Sequence, residues 1–345
     1  MHPTNSAAWQ IAEKAKPLEV RAAAYTPPKE NEIVVKNSVI GLNPVDYLRQ
    51  EMGAALFSWT TYPTIMGSDV AGEVVEVGSG AAAARFKPGD RVLGLGSELK
   101  DNKPAEGAFQ LYTVVSAQVA SPIPADMSYE NAAVIPLGIS TASCGLFQKD
   151  FLALRLPTTP RAASNGQLVL IWSGSSSVGS NAIQLAAAAG YEVITTASTK
   201  NFEYVRSLGA SHVFDYRSPT LIEDIAKVYE GKTGVGAFSI GTEASGPCCE
   251  VLSKVNSRKF VSLTNPPSGA LPQGIESNYV FGTAAKDNEI GPAIFEAFLP
   301  KALAAGEFKP APTPEVVGKG LGSIQEGLNQ LKKGASAKKY VISLQ

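Results

Sequence analysis

Apolar and polar positions follow two different patterns along the chain. Over about residues 1–130, short runs of alternating apolar and polar side chains, such as 32–36 and 90–94, are separated by turn residues. Alternation with a period of two is typical of half-buried strands. This part of the sequence therefore predicts a β-rich, barrel-like domain.

From residue 131 to about residue 300, buried strands alternate with amphipathic helices. The predicted strands are 167–172, 192–196, 212–214, 236–240 and 259–264, and the predicted helices are 178–189, 201–208, 219–229 and 246–254. This alternation is typical of an α/β fold with a doubly wound parallel sheet, and 154–166 and 265–274 are predicted to be surface loops. Residues 301–345 resemble the first domain again, and we expect them to fold back onto it.

A short turn of small residues joins the first strand and helix of this predicted sheet. It reads Gly174-Ser175-Ser176-Ser177-Val178-Gly179, so Ser176 replaces the middle glycine of the G-x-G-x-x-G pattern. Backbone N–H groups at a helix start, together with the helix dipole, bind phosphate where no side chain obstructs it. Taken alone the turn also fits an ordinary strand–helix connection, but the flanking elements favour a dinucleotide site.

The residues after the second strand of this sheet indicate which dinucleotide binds. A site that prefers NAD places an acidic residue about 20 positions after the glycine turn, where it bonds the ribose hydroxyls. This chain has no acid there and offers Ser198, Lys200 and Asn201 instead. A hydroxyl and a cation suit the 2′-phosphate of NADPH, so the sequence predicts NADPH; a solvated turn is the alternative interpretation.

Composition narrows the range of partners and compartments. The chain has 345 residues, 44% apolar and 18% charged, which is enough for two cores. A formal net charge of −1 gives no electrostatic reason to expect nucleic acid or an anionic membrane. No apolar run approaches the roughly 20 residues of a membrane helix, and no signal-peptide pattern is visible. The three cysteines form no disulfide framework, so we expect a cytoplasmic protein.

Five motifs resemble the medium-chain dehydrogenase/reductase superfamily. They are Asn-Pro-Val-Asp-Tyr at 43–47, Gly-Ser-Asp-Val-Ala-Gly-Glu-Val at 67–74, Phe-Lys-Pro-Gly-Asp-Arg-Val at 86–92, Gly-Ala-Phe at 107–109 and Pro-Leu-Gly-Ile-Ser-Thr-Ala at 136–142. The segment 172–179 further resembles fungal quinone-oxidoreductase-like proteins, which include trans-acting enoyl reductases. This resemblance implies a GroES-like β-barrel catalytic domain before a Rossmann domain, with the nicotinamide in the cleft between them.

The residues for a zinc site are missing. Zinc alcohol dehydrogenases of this superfamily take a ligand from a Gly-His-Glu motif, and the matching residues here are Gly67-Ser68-Asp69. The two histidines are His2, near the amino terminus, and His212, before a predicted Rossmann strand. A catalytic zinc needs three protein ligands and a structural one needs four cysteines. We therefore expect no metal and interpret His212 as a structural turn residue.

Without a metal, reduction of a double bond conjugated to a carbonyl becomes the more natural chemistry. Hydride then goes to the β-carbon, and the charge that develops on the carbonyl oxygen needs a hydrogen-bond donor. Our candidate donor is Tyr47. By resemblance, Asn43 and Thr141 lie near the nicotinamide, and further cofactor contacts are Tyr216, Leu263, Thr264, Ser336 and Ala337. The alternatives are packing for Tyr47, a turn before Pro44 for Asn43 and a helix cap for Thr141.

One departure from the family pattern limits the range of substrate classes. Many trans-acting enoyl reductases read Asn-Pro-x-Asp-Trp-Lys, whereas here Leu48 holds the lysine position and Arg49 follows. This favours a free enone, enal or quinone over a polyketide chain on a carrier protein. Five residues either line the substrate cleft or belong to the core: Met52, Leu56, Phe57, Trp59 and Tyr62. A trans-acting enoyl reductase beside a polyketide synthase, and an NADPH-binding module or redox sensor with little turnover, stay open as alternatives.

Overall fold

The computed structural model describes residues 3–267 and 269–345, and its contacts divide the chain into two units. The first unit comprises 1–137, 295–300 and 313–345, and the second comprises 138–294 and 301–312. Residues 301–312 thus group with the second unit, although the sequence suggested the first. Two hydrogen bonds hold this segment there, because the Gln184 side chain accepts from the Lys309 N–H at 2.8 Å and donates to the Lys309 carbonyl at 3.1 Å.

The elements of the described residues are as follows. The strands are β1 (Asn5–Gln10), β2 (Glu19–Ala23), β3 (Glu32–Gly41), β4 (Thr64–Ile65), β5 (Asp69–Val77), β6 (Arg91–Leu95), β7 (Tyr112–Ser116), β8 (Ala120–Pro122), β9 (Gln167–Ile171), β10 (Glu192–Ala197), β11 (His212–Asp215), β12 (Thr233–Ser239), β13 (Phe260–Leu263), β14 (Glu276–Tyr279), β15 (Thr313–Lys319) and β16 (Lys338–Ser343). The α-helices are α1 (Pro44–Met52), α2 (Ala54–Phe57), α3 (Glu98–Asp101), α4 (Tyr129–Ala133), α5 (Pro136–Phe147), α6 (Ser177–Ala188), α7 (Phe202–Ser207), α8 (Leu221–Val228), α9 (Ser245–Lys254), α10 (Leu299–Ala304) and α11 (Ile324–Lys332).

The first unit is built on β-sheets, as the alternating pattern predicted. One sheet has the strand order β2-β1-β4, and a larger one has the order β15-β16-β3-β5-β6-β8, with β7 also paired to β3. All pairings in these sheets are antiparallel except that of β15 with β16. The buried core includes Ile33, Ile40, Met66 and Phe109. The late strand β16 lies between β15 and β3, which returns the end of the chain to this sheet.

The second unit is a parallel sheet with the strand order β11-β10-β9-β12-β13-β14. Numbered along the unit, this is the order 3-2-1-4-5-6 of the doubly wound dinucleotide fold. The β9 residues Leu168, Val169, Leu170 and Ile171 are fully buried, as a central parallel strand requires. The predicted α/β fold class is confirmed, and the strand order reverses direction between β9 and β12.

Among the elements that sequence analysis missed, helix α5 and strand β14 have no periodic apolar face. Helix α5 is buried along its whole length, so no polar face marks its 3.6-residue period. Strand β14, with the sequence Glu-Ser-Asn-Tyr, is largely exposed at the sheet edge. The predicted loop 154–166 contains no helix or strand. Within the described part of the chain, every helix is too short or too polar to cross a membrane.

A buried ion pair joins α1 to α3 in the first unit. The side chains of Arg49 and Glu98 are 3% and 0% exposed, and Arg49 Nη2 lies 3.1 Å from Glu98 Oε1. The hydroxyl of Thr64, in β4, also donates to this carboxylate. Arg49 is thus committed to the interior of the first unit.

Replacing Glu98 by Gln should destabilise the protein strongly, because the Arg49 charge would stay buried without its counter-ion. We expect the free energy of unfolding to fall by about 3–5 kcal/mol, measured by chemical denaturation. Glu203→Gln is the control, since the Glu203–Arg206 pair is exposed and should contribute nothing measurable. Equal stability of the two variants would contradict this prediction.

Candidate active site

Two glycines allow β9, β10 and α6 to meet at a tight turn. A Cβ atom at Gly174 would lie 2.2 Å from Thr195 Oγ1, and one at Gly179 would lie 2.3 Å from the Ser173 carbonyl oxygen. Neither distance leaves room for a side chain. The first and last positions of the glycine pattern are therefore required by packing.

Ser176 occupies the middle position of the pattern because it caps the helix. Its Oγ accepts a hydrogen bond from the Gly179 N–H at 3.0 Å and donates to the Ser173 carbonyl at 2.8 Å. Of the N–H groups that a helix start leaves unpaired, those of Ser177 and Val178 have no acceptor among the described residues. The Ser177 hydroxyl is likewise buried without a partner there. These donors are available to an anionic group.

A cavity of about 330 Å³ opens at the carboxyl ends of the parallel strands. It is lined by Trp172 and Ser173 after β9, Tyr216 after β11, and residues 240–244 after β12. Ligands of doubly wound sheets bind in this crevice, where the strand order reverses. Thr264, at the end of β13, accepts a hydrogen bond from the Gly241 N–H at 3.2 Å and so borders the cavity, while its neighbour Leu263 is buried.

The three residues predicted to bind the 2′-phosphate follow β10 in the second unit and differ in their exposure. Ser198 is half-buried and Lys200 is exposed, and Lys200 forms no ion pair with any residue that the structure describes. Asn201 is buried. Asp215, in the neighbouring strand β11, is neutralised by Arg217, whose Nε and Nη2 donate to the carboxylate at 3.0 Å each. This pair lowers the pKa of Asp215.

Helix α5 packs directly against the start of α6. A Cβ at Gly138 would lie 2.7 Å from Asn181 Nδ2 and 2.8 Å from Ser177 Oγ. Thr141 follows Gly138 by three residues and therefore shares its helix face. The structure thus puts Thr141, which is 8% exposed, on the face of α5 that approaches the start of α6.

A buried polar cluster lies at the start of α1 in the first unit. Lys339 Nζ donates to Asn43 Oδ1 at 2.9 Å and to the carboxylate of Asp69. The same carboxylate accepts from Asn43 Nδ2 at 2.7 Å and from the Leu137 N–H at 2.6 Å. We refer to Asn43, Asp69, Leu137 and Lys339 as the α1 cluster. Sequence analysis missed Lys339. The signal that could have found it is its place at the start of an apolar strand, because a lysine buried there needs an anionic partner.

Asp46 adjoins the α1 cluster and is itself buried. Its carboxylate accepts a hydrogen bond from the Asn43 N–H at 2.8 Å, which fixes the first turn of α1. Burial raises the pKa of Asp46 to about 7, against the opposing effect of that hydrogen bond. The nearby Asp69 charge raises this pKa further.

Tyr47 lies on α1, one turn after the cluster. Its ring is partly buried against the core of the first unit, and among the described residues its hydroxyl has no hydrogen-bond partner. The apolar residues that follow are not core residues: Met52, Leu56 and Trp59 are 39%, 49% and 41% exposed. Phe57 and Tyr62 are partly buried.

The positions that match the zinc-ligand motif hold no metal-binding set. Ser68 and Asp69 are buried, and Asp69 is engaged by the α1 cluster. His212 is the first residue of β11, so it belongs to a strand and not to the turn that the sequence suggested, and its Nε2 lies 3.8 Å from Glu192. His2 lies outside the described residues. Across residues 3–267 and 269–345, no three His, Cys, Asp or Glu side chains are grouped to hold an ion.

Ser336 and Ala337 precede β16 in the first unit, and Ala337 has a φ of +53°.

Comparison with known proteins gives the family. Residues 29–125 match the alcohol dehydrogenase GroES-like domain, and residues 177–249 match the zinc-binding dehydrogenase family. The chain is 52% identical to the dehydrogenase pigH of Monascus ruber over 99% of this chain and 100% of that protein. The chain belongs to the medium-chain dehydrogenase/reductase superfamily.

Other relatives of this medium-chain dehydrogenase/reductase include reductases. It is 38% identical to the trans-enoyl reductase himH of Aspergillus japonicus over 99% of this chain and 97% of that protein. Its fold is similar to that of mycobacterial Rv1454c, solved in complex with NADPH, with a TM-score of 0.72, 20% identity and coverage of 98% of this chain and 99% of that one. The predicted family is confirmed, and the protein is an oxidoreductase of the reductase type.

Gly174→Ala should disrupt the turn between β9 and α6, because the new methyl group would overlap Thr195 Oγ1. We expect the midpoint of thermal unfolding to fall by several degrees. Gly246→Ala is the matched control: it is a helical glycine of the same unit with no atom within 4 Å of the added Cβ, and alanine is the better helix former. If the two variants melted at the same temperature, the close packing of the turn would be refuted.

Proposed function

We propose that this medium-chain reductase uses NADPH to reduce activated carbon–carbon double bonds or quinones without zinc. The proposal depends on the Ser177 and Val178 N–H groups and the Ser177 hydroxyl, which have no partners among the described residues. The residues that follow the neighbouring strand β10 include no acid in the position that NAD-preferring sites use. When bound, the nicotinamide cofactor supplies the hydride. The chain's own residues bind it, exclude water and stabilise the charge that develops on the substrate oxygen.

The pyrophosphate of the cofactor would be held by the turn at residues 174–179. The N–H groups of Ser177 and Val178 and the hydroxyl of Ser177 are donors without acceptors among the described residues, and they fit an anion. We assign Gly174, Ser175, Ser176 and Gly179 to the same site. The cavity lined by Trp172 and Tyr216 suits the adenosine half, with Leu263 and Thr264 at its border. Ser336 and Ala337, in the first unit, remain cofactor-binding assignments by resemblance.

Discrimination for the 2′-phosphate would come from Ser198, Lys200 and Asn201. The ammonium of Lys200 is exposed and forms no ion pair with the described residues, so it can approach a phosphate. The carboxylate of Asp215, at the end of the neighbouring strand β11, is neutralised by Arg217 and does not oppose it. These features support NADPH over NADH.

Tyr47 is our proposed donor to the substrate carbonyl. Its hydroxyl is uncommitted among the described residues, and its helix is fixed at its start by the hydrogen bond between Asn43 and Asp46. Asn43 points its side chain into the α1 cluster and is 4% exposed, which supports a positioning role. We assign Thr141 to a contact with the nicotinamide.

A zinc ion does not fit the positions of the metal motif. Ser68, at the position of the motif's histidine, is a weak zinc ligand. The only carboxylate at those positions, Asp69, is bonded to the ammonium of Lys339, and a second cation beside it would be repelled. We therefore derive no catalytic step through a metal.

A second candidate is reduction of polyketide chains held on a carrier protein. It is favoured by relatives that are named trans-enoyl reductases, such as himH. Leu48 stands at the lysine position of that pattern, and the next cation, Arg49, is buried against Glu98. For this reason we favour a free enone, enal or quinone.

The function is tested by NADPH oxidation with a panel of enones, enals and quinones, with NADH in parallel and zinc content measured on the same sample. We expect turnover with NADPH at least ten-fold better than with NADH, and less than stoichiometric zinc. Activity on carrier-bound substrates alone would support the second candidate. NADPH binding without any turnover would support a binding module and contradict an enzyme.

Lys200→Met should lower kcat/KM for NADPH and leave kcat/KM for NADH unchanged. Loss of one charged hydrogen bond to a phosphate corresponds to about ten-fold in kcat/KM for NADPH. Lys227→Met is the control, because Lys227 is an exposed lysine of the same unit that pairs with Asp224. An equal effect on both cofactors would remove Lys200 from the 2′-phosphate site.

Tyr47→Phe should lower kcat by about a hundred-fold, because one donor to the developing oxyanion is lost. The dissociation constant for NADPH, measured by fluorescence titration, should not change. Tyr129→Phe, a partly buried tyrosine on α4 of the same unit, should leave kcat unaltered. An unchanged rate in Tyr47→Phe would exclude the phenol from the mechanism.

A further inference from the structure

The α1 cluster buries a full ion pair in the interior of the first unit. The side chains of Lys339 and Asp69 are 3% and 0% exposed. The Asp69 carboxylate is fully engaged, with Lys339 and Asn43 on one oxygen and the Leu137 N–H on the other. Two of the three Lys339 ammonium protons have acceptors among the described residues.

Stability alone is a weak reason for such a pair. Desolvation of two buried charges cancels much of their attraction, and well-packed apolar side chains often replace a buried ion pair without loss. In some proteins a buried ionic group instead fixes one defined arrangement of the groups that it contacts. The contacts of Lys339 therefore indicate which arrangement is needed.

Those contacts converge on the start of α1. The Asn43 carboxamide is held at both ends, its oxygen by Lys339 and its nitrogen by Asp69. The Asn43 backbone is held in turn by the Asp46 carboxylate. Asn43 is the residue from which α1 begins, and Tyr47 stands four residues later on that helix. Lys339 thus reaches Tyr47 through a continuous chain of hydrogen bonds and one helical turn.

We propose that Lys339 is a positioning residue for the reductase reaction. Its ammonium holds Asn43 and Asp69 in one arrangement, which fixes the start of α1 and with it the Tyr47 hydroxyl. This inference rests on the proposed function of Tyr47, but its structural part can be tested without a substrate.

The experiment compares the wild-type protein, Lys339→Met and the double variant Lys339→Met/Asp69→Asn. The double variant removes both charges and should recover most of the stability that the single variant loses. Lys338→Met is the control, because Lys338 is the exposed neighbour on the same strand and pairs with Glu315. Amide hydrogen exchange over residues 43–52 reports the order of α1, and kcat is measured with and without Tyr47→Phe.

We expect the double variant to melt near the wild-type temperature but to exchange the 43–52 amides at least ten-fold faster. Its kcat should be at least ten-fold lower, with little further loss when Tyr47→Phe is added, because both changes act on one hydroxyl. The proposal would be overturned if Lys339→Met/Asp69→Asn kept the amide exchange rates and kcat of the wild-type protein. It would also be overturned if the fold-losses in kcat from this double variant and from Tyr47→Phe multiplied when the changes were combined. If the wild-type protein reduced nothing in the panel, the proposed function would fail, and hydrogen exchange would still decide the positioning of α1.

Discussion

The close approach of backbone at Gly174 and Gly179 is the constraint on which the second unit depends. It brings the end of β9, the start of α6 and the side chain of Thr195 within a distance that excludes any Cβ at either glycine. At that helix start the N–H groups of Ser177 and Val178 have no acceptor among the residues that the structure describes. The middle position of the pattern is not restricted to glycine by packing. Ser176 occupies it and caps α6, because its Oγ accepts a hydrogen bond from the Gly179 N–H.

The first unit fixes its functional helix by electrostatics instead. Helix α1 is held near both of its ends by buried ion pairs, that of Lys339 and Asp69 at its start and that of Arg49 and Glu98 near its end. Both pairs connect it to strands or helices distant in sequence. A helix of nine residues has little stability of its own, so these contacts fix its position.

Much of this molecule could be predicted from the order of its elements. The strand–turn–helix at 167–188 and the alternation after it predicted the parallel sheet, because each strand and helix carries its own periodic signal. Helix α5 and strand β14 could not be found in this way, since one is apolar on every side and the other is polar. The α1 cluster was equally invisible, because Lys339 and Asp69 are 270 residues apart and only tertiary packing decides that both are buried.

The place of β16 in the larger sheet of the first unit has a consequence for synthesis on the ribosome. The strand lies between β15 and β3, yet all of the second unit precedes it in the sequence. The nascent chain can therefore complete the parallel sheet while the β-rich unit still lacks an inner strand. Lys339 arrives with that strand, so Asp69 stays without its counter-ion until β16 has been synthesised.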